Sequence, residues 1–190
     1  MLSNATLERP KLQRRGFMRE FAETVLLIVA IYALVNMATA RFIVEGPSMQ
    51  PNFATGQFLI VSRLSYLLGE PAYGDIIVFH YFNNPEDDYI KRVIGLPGDT
   101  VKIQNTEVYV NGNLIQEPYI NEPCRDSRCR DNEWVLGEDE FFVMGDNRNH
   151  SSDSRAFGPI TREYIVGEAV FRYWPPAQIG LVTNIRYPQD

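Results

Sequence analysis

The sequence predicts a mainly β protein, an antiparallel β-sheet domain behind one N-terminal transmembrane helix. Two observations carry that prediction. Residues 21–40, FAETVLLIVAIYALVNMATA, form one apolar stretch interrupted only by Glu23, about the ~20 residues a helix needs to cross a bilayer. Beyond it the chain shows no long helical period and no internal repeat. It has instead short runs rich in Val, Ile, Tyr and Phe, punctuated by Gly, Pro, Asn and Asp, the signature of strands joined by turns. At 190 residues, 45% apolar and 22% charged, the chain has material for one modest folded domain plus an anchor.

The N-terminal segment carries Arg9, Lys11, Arg14, Arg15 and Arg19 against Glu8 and Glu20. A basic cluster ahead of a span is retained in the cytoplasm. Residues 1–20 are therefore expected there, 21–40 in the bilayer, and 41–190 on the exported side, whether periplasmic, extracellular or thylakoid-lumenal. A cleaved export signal is the competing reading, because a basic start, an apolar run and Ala38-Thr39-Ala40 match its three parts; the run is longer than the usual ~7–15-residue core. An amphipathic core helix fits worse, since the apolar residues surround the helix instead of forming a stripe. The formal charge of −6, set beside the basic start, leaves everything from Arg41 onward at about −8, a balance unsuited to nucleic acid.

Within the exported part, strands are expected at 57–62, 75–81, 89–94, 100–103, 107–110, 141–144 and 164–173. Turns fall at Gly56, Gly74, Pro97-Gly98-Asp99, Asn111-Gly112 and Gly158-Pro159. Asn111-Gly112 between Val108-Tyr109-Val110 and Leu114-Ile115 marks a tight hairpin. A small insertion is expected around 104–140, with the polar 116–139 read as a loop. It holds both cysteines, Cys124 and Cys129. Outside the reducing cytoplasm these two either close a small local disulfide or remain unpaired surface residues. His80 and His150 lie far from them in sequence, so no zinc set is formed, and no metal or organic cofactor is implied.

Three segments hold chemistry. Ser48 sits in Gly46-Pro47-Ser48-Met49-Gln50-Pro51, where glycine and prolines favour an irregular backbone that presents a hydroxyl and free N–H groups. Lys91 lies inside the strand-like Tyr89-Ile90-Lys91-Arg92-Val93-Ile94. Facing the interior it loses solvation, its pKa falls and a neutral amine becomes available as a base; on an edge strand it only guards against aggregation. Gly145-Asp146-Asn147-Arg148-Asn149-His150-Ser151-Ser152-Asp153-Ser154-Arg155 follows an apolar strand and gathers hydroxyls, carboxylates and guanidinium groups.

Together these segments resemble the type I signal peptidase family. Residues 46–51 are similar to its nucleophile box, 89–99 to its general-base box and 145–155 to its third signature. Asp75-Ile-Ile-Val-Phe matches the strand before the lysine box, all in family order behind an anchor. The resemblance implies a Ser-Lys dyad on a β fold, with Ser48 as nucleophile and Lys91 as general base. It implies that Ser151 orients Lys91, that Asp153 pairs with Arg155 and Asp146 with Arg92, and that His150 is not catalytic. Relatives often carry a serine where this chain has Gly46, so the second oxyanion donor stays open. The implied substrates are signal peptides of secretory or lumenal preproteins, cut after small residues in an Ala-x-Ala pattern. Phe42, Val44, Met49, Phe53 and Ile90 are the candidate pocket walls, and core packing is the alternative for each. The bilayer is the other expected partner; Tyr173-Trp174-Pro175-Pro176 and the stretch 179–185 either rest on it or pack as a terminal strand. Oligomeric state is not legible. The competing functions are a self-cleaving Ser-Lys regulatory protease, disfavoured by residues 21–40, and a membrane-tethered binding domain without catalysis, disfavoured by the presence of both Ser48 and Lys91.

Overall fold

The computed structural model describes residues 14–125 and 127–186. Arg9 and Lys11 of the expected cytoplasmic segment lie outside the described residues. Two units are distinguished, one ending at Met37 and the other starting at Ala38.

Among the described residues the first unit is helix α1, Arg14–Ala38, apart from its last residue. Within it Gly16–Ala38 is long and apolar enough to span a bilayer. Phe17, Leu26, Ile28, Tyr32, Leu34 and Met37 are all exposed, so the apolar surface runs around the helix, as lipid contact requires. The helix begins before the expected 21–40 and stops short of its end. Thr39 and Ala40 join the first strand instead, where their backbone pairs with Ser62 and Val61.

The second unit is antiparallel β, as expected. Strands β1 (Thr39–Ile43), β2 (Phe58–Ser62), β3 (Ile76–Tyr81) and β4 (Asn84–Gly95) are followed by β5 (Thr100–Gln104), β6 (Glu107–Val110), β7 (Asn113–Leu114) and β8 (Asn132–Val135). Then come β9 (Glu140–Met144), β10 (Ile160–Thr161), β11 (Ile165–Trp174) and β12 (Gly180–Leu181), with short helices α2 (Ser65–Leu68) and α3 (Ser154–Phe157) between strands. The larger sheet runs β1-β2-β11-β3-β4-β9-β10, with β12 added on β11; the smaller runs β7-β6-β5-β8.

Alternation explains the core. Along β3, Ile76 and Val78 pack with Val44, Met49, Phe53, Leu59, Val61, Ile90 and Ala169, while Ile77 and Phe79 pack with Val93, Phe141, Val143, Ile160 and Ile165. Both faces of the strand are therefore covered, and each fully buried aliphatic side chain contributes about 1.5–3 kcal/mol. A third cluster joins the sheets: Val101, Ile103, Val108 and Val110 of the small sheet meet Ile94, Phe142 and Met144 of the large one.

The sequence-expected loop at 116–139 is only partly a loop. Its residues Asn132–Val135 form β8, which pairs with β5 from Thr100↔Val135 to Ile103↔Asn132, and Trp134 packs at a tilt against Phe142 with ring centroids 4.7 Å apart. Polar Asn132 and Glu133 hid this strand because it is solvated along most of its length. The Asn111-Gly112 hairpin forms as expected, placing Tyr109 opposite Leu114. The C-terminal stretch supplies β12, paired through Phe171↔Leu181, although Trp174, Ile179 and Leu181 keep exposed side chains.

Candidate active site

Ser48 is carried by the turn between β1 and β2. Backbone bonds Val44 N–H to Gln57 O (2.8 Å) and Gly56 N–H to Val44 O (2.9 Å) close its base, and Gln50 N–H to Pro47 O (3.1 Å) tightens its tip. The Gln50–Pro51 peptide is cis. Met49, fully buried, and Phe53 pin the turn from below. Gly46 adopts φ +77°, a left-handed conformation in which a serine would be strained, so glycine suits this backbone.

Lys91 lies on β4, paired to Ile77 of β3 and one residue before β9 takes up pairing on the other side; its burial, not its place in the sheet, excludes the edge-guard reading. Only 4% of it is exposed. Its Nζ donates to Ser48 Oγ at 3.0 Å and to Ile90 O at 2.9 Å. Burial pushes the ammonium down from 10.5 to about 8, opposed by the charges of Asp153 and Asp146 and assisted by Arg155. The desolvated amine and the hydroxyl, distant in sequence, are thus in hydrogen-bond contact.

The segment 145–155 wraps both residues. Arg92 grips Asp146 in a buried fork, Nε to Oδ1 and Nη2 to Oδ2 each 2.8 Å, and donates through Nη1 to Gly74 O at 2.9 Å. The guanidinium lies 4.1 Å from the Tyr119 ring centroid. Asp153 caps α3 and receives Arg155 Nε at 2.8 Å and Nη2 at 2.7 Å, together with Gly145 N–H at 3.0 Å. Burial alone would raise the Asp153 carboxyl, but the hydrogen bonds and charge of Arg155, with the Gly145 N–H, hold it below its ordinary value. Both ion pairs expected from the resemblance are therefore formed.

Ser151 behaves differently. Its buried Oγ lies on the Asp153 side of the loop, where it helps hold that carboxyl low, and the expected bond to Lys91 is not formed; the amine is engaged by Ser48 and Ile90 instead. His150 is exposed. Cys124 and Cys129 are joined in a disulfide, and both are buried, which corrects the reading as unpaired surface thiols. The bridge packs against Arg155, whose Nη1 lies 3.4 Å from Cys124 Sγ and 3.2 Å from Cys129 Sγ. Among the described residues no cluster of acidic, His or Cys side chains could hold a metal ion.

Several contributors were not singled out from the sequence. Gly145 leaves no room for a side chain, since a Cβ there would lie 2.3 Å from Ser151 Oγ and 2.5 Å from Ser48 O. Asn52 Nδ2 donates to Asp146 Oδ2 at 2.7 Å and to Tyr119 O at 2.8 Å. Arg148 pairs with Glu117 and donates to Gly145 O at 3.1 Å. Asn147 touches the Ser48 turn directly through its N–H and side chain. For Gly145, Asn147 and Arg148 the only signal was a place in a polar run, and Asn52 gave none; each acts through a partner distant in sequence or through close backbone approach.

Ser48 and Lys91 line a groove of about 720 Å³. Phe42, Val44 and Ile90 are among its walls, with Leu59 and Val78 at its floor. Met49 and Phe53, expected as walls, are instead packed in the core beneath, because the turn needs apolar anchors on its inner side.

The profile described as "Signal peptidase, peptidase S26" matches residues 18–174. The chain belongs to that family. Curated relatives include a signal peptidase I of Bacillus caldolyticus, 44% identical over 74% of this chain and 82% of its own length. The probable signal peptidase I-2 of Synechocystis sp. is 38% identical over 83% and 73%. Signal peptidase IB of Staphylococcus aureus is 35% identical over 79% and 88%. A solved signal peptidase I of Enterococcus faecalis aligns at 32% identity and TM-score 0.47, covering 52% of this chain and 96% of that one. Membership makes the chain a serine peptidase, a hydrolase of peptide bonds.

Proposed function

We propose that this protein is a membrane-anchored endopeptidase that removes N-terminal signal peptides from exported preproteins, using Ser48 as nucleophile and Lys91 as general base. The observation that carries the reading is a buried lysine, its pKa lowered to about 8, with Nζ 3.0 Å from a serine hydroxyl in a groove. Neutral Lys91 takes the Ser48 proton as Oγ attacks the scissile carbonyl. The tetrahedral oxyanion collapses, Lys91 returns the proton to the departing amine, and an acyl-serine remains. A water deprotonated by Lys91 then attacks the ester, Ser48 Oγ leaves with that proton, and the acid product is released. Asp153–Arg155 and Arg92–Asp146 hold the loop and strand that set this distance.

The sheet edges explain how a peptide is held. β1 is terminal in its sheet, and the outer half of β4 pairs only with β3, since β9 takes up pairing at Arg92. The groove is lined by residues 41–43 of β1 with Val44 and Glu45 just after it, and by 86–91 of β4. An extended substrate can add backbone hydrogen bonds to these edges, while the closed floor of Leu59 and Val78 favours small side chains such as those of Ala-x-Ala. Helix α1, preceded by basic residues, supports a cytoplasmic N-terminus and an exported peptidase unit, and the disulfide fits an oxidising compartment. The test is cleavage of a preprotein with an Ala-x-Ala site by the detergent-solubilised chain. Wild type releases the signal peptide, and Ser48→Ala and Lys91→Ala, shown to be folded, do not. Equal cleavage by all three sinks the proposal.

A further inference from the structure

An oxyanion formed at the Ser48 acyl centre needs a hydrogen-bond donor already aimed at it. The nearest backbone donor by construction is the Ser48 N–H. It makes no hydrogen bond among the described residues, and Gly46, Pro47 and Ser48 all line the groove. Its direction is set by the peptide plane it shares with the Pro47 carbonyl. The bond is trans, so N–H and C=O point opposite ways, and whatever fixes the oxygen fixes the donor.

Two groups fix that oxygen. Gln50 N–H donates to Pro47 O at 3.1 Å from within the turn, and Asn147 Nδ2 donates to it at 3.2 Å from the opposite segment. Asn147 also reaches the next carbonyl, its N–H donating to Ser48 O at 2.9 Å. One residue therefore clasps two successive carbonyls around the nucleophile, one through its side chain and one through its backbone. Two pinned planes restrict the torsions on either side of the Ser48 Cα, and with them the position of Oγ. Gly145, two residues earlier, permits the approach, since a Cβ there would lie 2.5 Å from Ser48 O. A carboxamide suits this position because Pro47 O only accepts: the group opposite must donate, and a carboxylate of the same shape would repel it.

We infer that Asn147 is a positioning residue for the oxyanion hole, aiming the Ser48 N–H by clamping the Pro47 carbonyl. The inference rests on the Ser48–Lys91 reading above and deepens it. Asn147 itself touches neither substrate nor reacting atoms; it acts through the peptide plane. The side chain does not contact Lys91 in this structure, so the base is expected to keep its titration when Asn147 is changed.

The test compares the detergent-solubilised full chain with Asn147→Ala, Asn147→Ser and Asn147→Asp on an Ala-x-Ala preprotein, alongside Ser48→Ala and Lys91→Ala. Loss of one neutral donor lowers kcat about 3- to 10-fold in Asn147→Ala. The repulsive Asn147→Asp loses more, up to about the 100-fold given by removal of an oxyanion donor. KM and the midpoint of the pH–rate profile stay at their wild-type values. Affinity for an Ala-x-Ala peptide aldehyde, whose oxygen occupies the oxyanion position once Ser48 has added, falls with kcat, while affinity for the product carboxylate does not. Unchanged kcat in Asn147→Ala and Asn147→Asp overturns the inference. So does a loss in all three variants that parallels a fall in folded protein, or a loss that appears in KM alone. Activity in Ser48→Ala or Lys91→Ala instead removes the dyad reading beneath it, an outcome distinct from failure of the Asn147 variants.

Discussion

Replacing Lys91 by methionine should abolish proteolysis while making the folded state relatively more stable at low pH than at high pH. The amine is 4% exposed, and burial lowers its pKa from 10.5 to about 8. At pH 7 an ordinary lysine is neutral in about one molecule in 3,000 and Lys91 in about one in ten, a gain of about 300-fold in active base. The same difference penalises folding. The folded-state value lies below the unfolded one, so between pH 8 and 10.5 the unfolded chain binds more protons and stability rises with pH. Below about pH 8 both states are protonated and the full penalty stands, about 3 kcal/mol; above 10.5 neither is, and it is gone. Methionine has no such dependence. The hydrogen bonds lost to Ser48 Oγ and Ile90 O cost the variant about 1–3 kcal/mol, but equally at every pH. The stability of Lys91→Met relative to wild type should therefore fall by about 2.5 kcal/mol between pH 6 and pH 10. Urea unfolding of the detergent-solubilised proteins, followed by Trp134 and Trp174 fluorescence at both pH values, measures it. In parallel, wild-type kcat/KM should rise about tenfold per pH unit below about 8 and level off above it. A stability gap that does not change with pH, or an activity midpoint near the ordinary lysine value, refutes the argument.

Asp146→Ala leaves the Arg92 guanidinium buried without its carboxylate and should cost about 3–5 kcal/mol in urea unfolding; because the Asp146 charge raises the Lys91 pKa, the residual activity should titrate at lower pH. Gly145→Ala drives a Cβ to within 2.5 Å of Ser48 O, and the resulting displacement of Ser48 should lower kcat by about 100-fold in steady-state cleavage assays. Replacing Cys124 and Cys129 together by serine removes a crosslink between positions five residues apart and should lower stability by about 2 kcal/mol, seen as a urea midpoint that no longer responds to reductant.

Local pattern by itself determined the apolar helix, the β class, most strand positions and the presence of a serine turn, a strand lysine and a polar signature in a fixed order. These were legible because hydrophobic period and turn chemistry are properties of neighbouring residues. Strand β8 escaped, since its polar exposed residues carry little hydrophobic period, and the helix ends at Ala38, before the expected Ala40, because Thr39 and Ala40 pair with β2. The tertiary structure decided the rest. Alternation along β4 cannot say that both Lys91 and Arg92 are buried, because that requires cover on two faces, supplied by distant segments. Nor can it say that Lys91 bonds Ser48 and Ile90 and not Ser151, that Met49 and Phe53 support the turn from the core, or that Asn147 clasps the carbonyls beside Ser48. The lowered pKa of Lys91 has the same origin: desolvation and the fields of Asp153, Asp146 and Arg155 exist only once the chain has brought those groups around the amine.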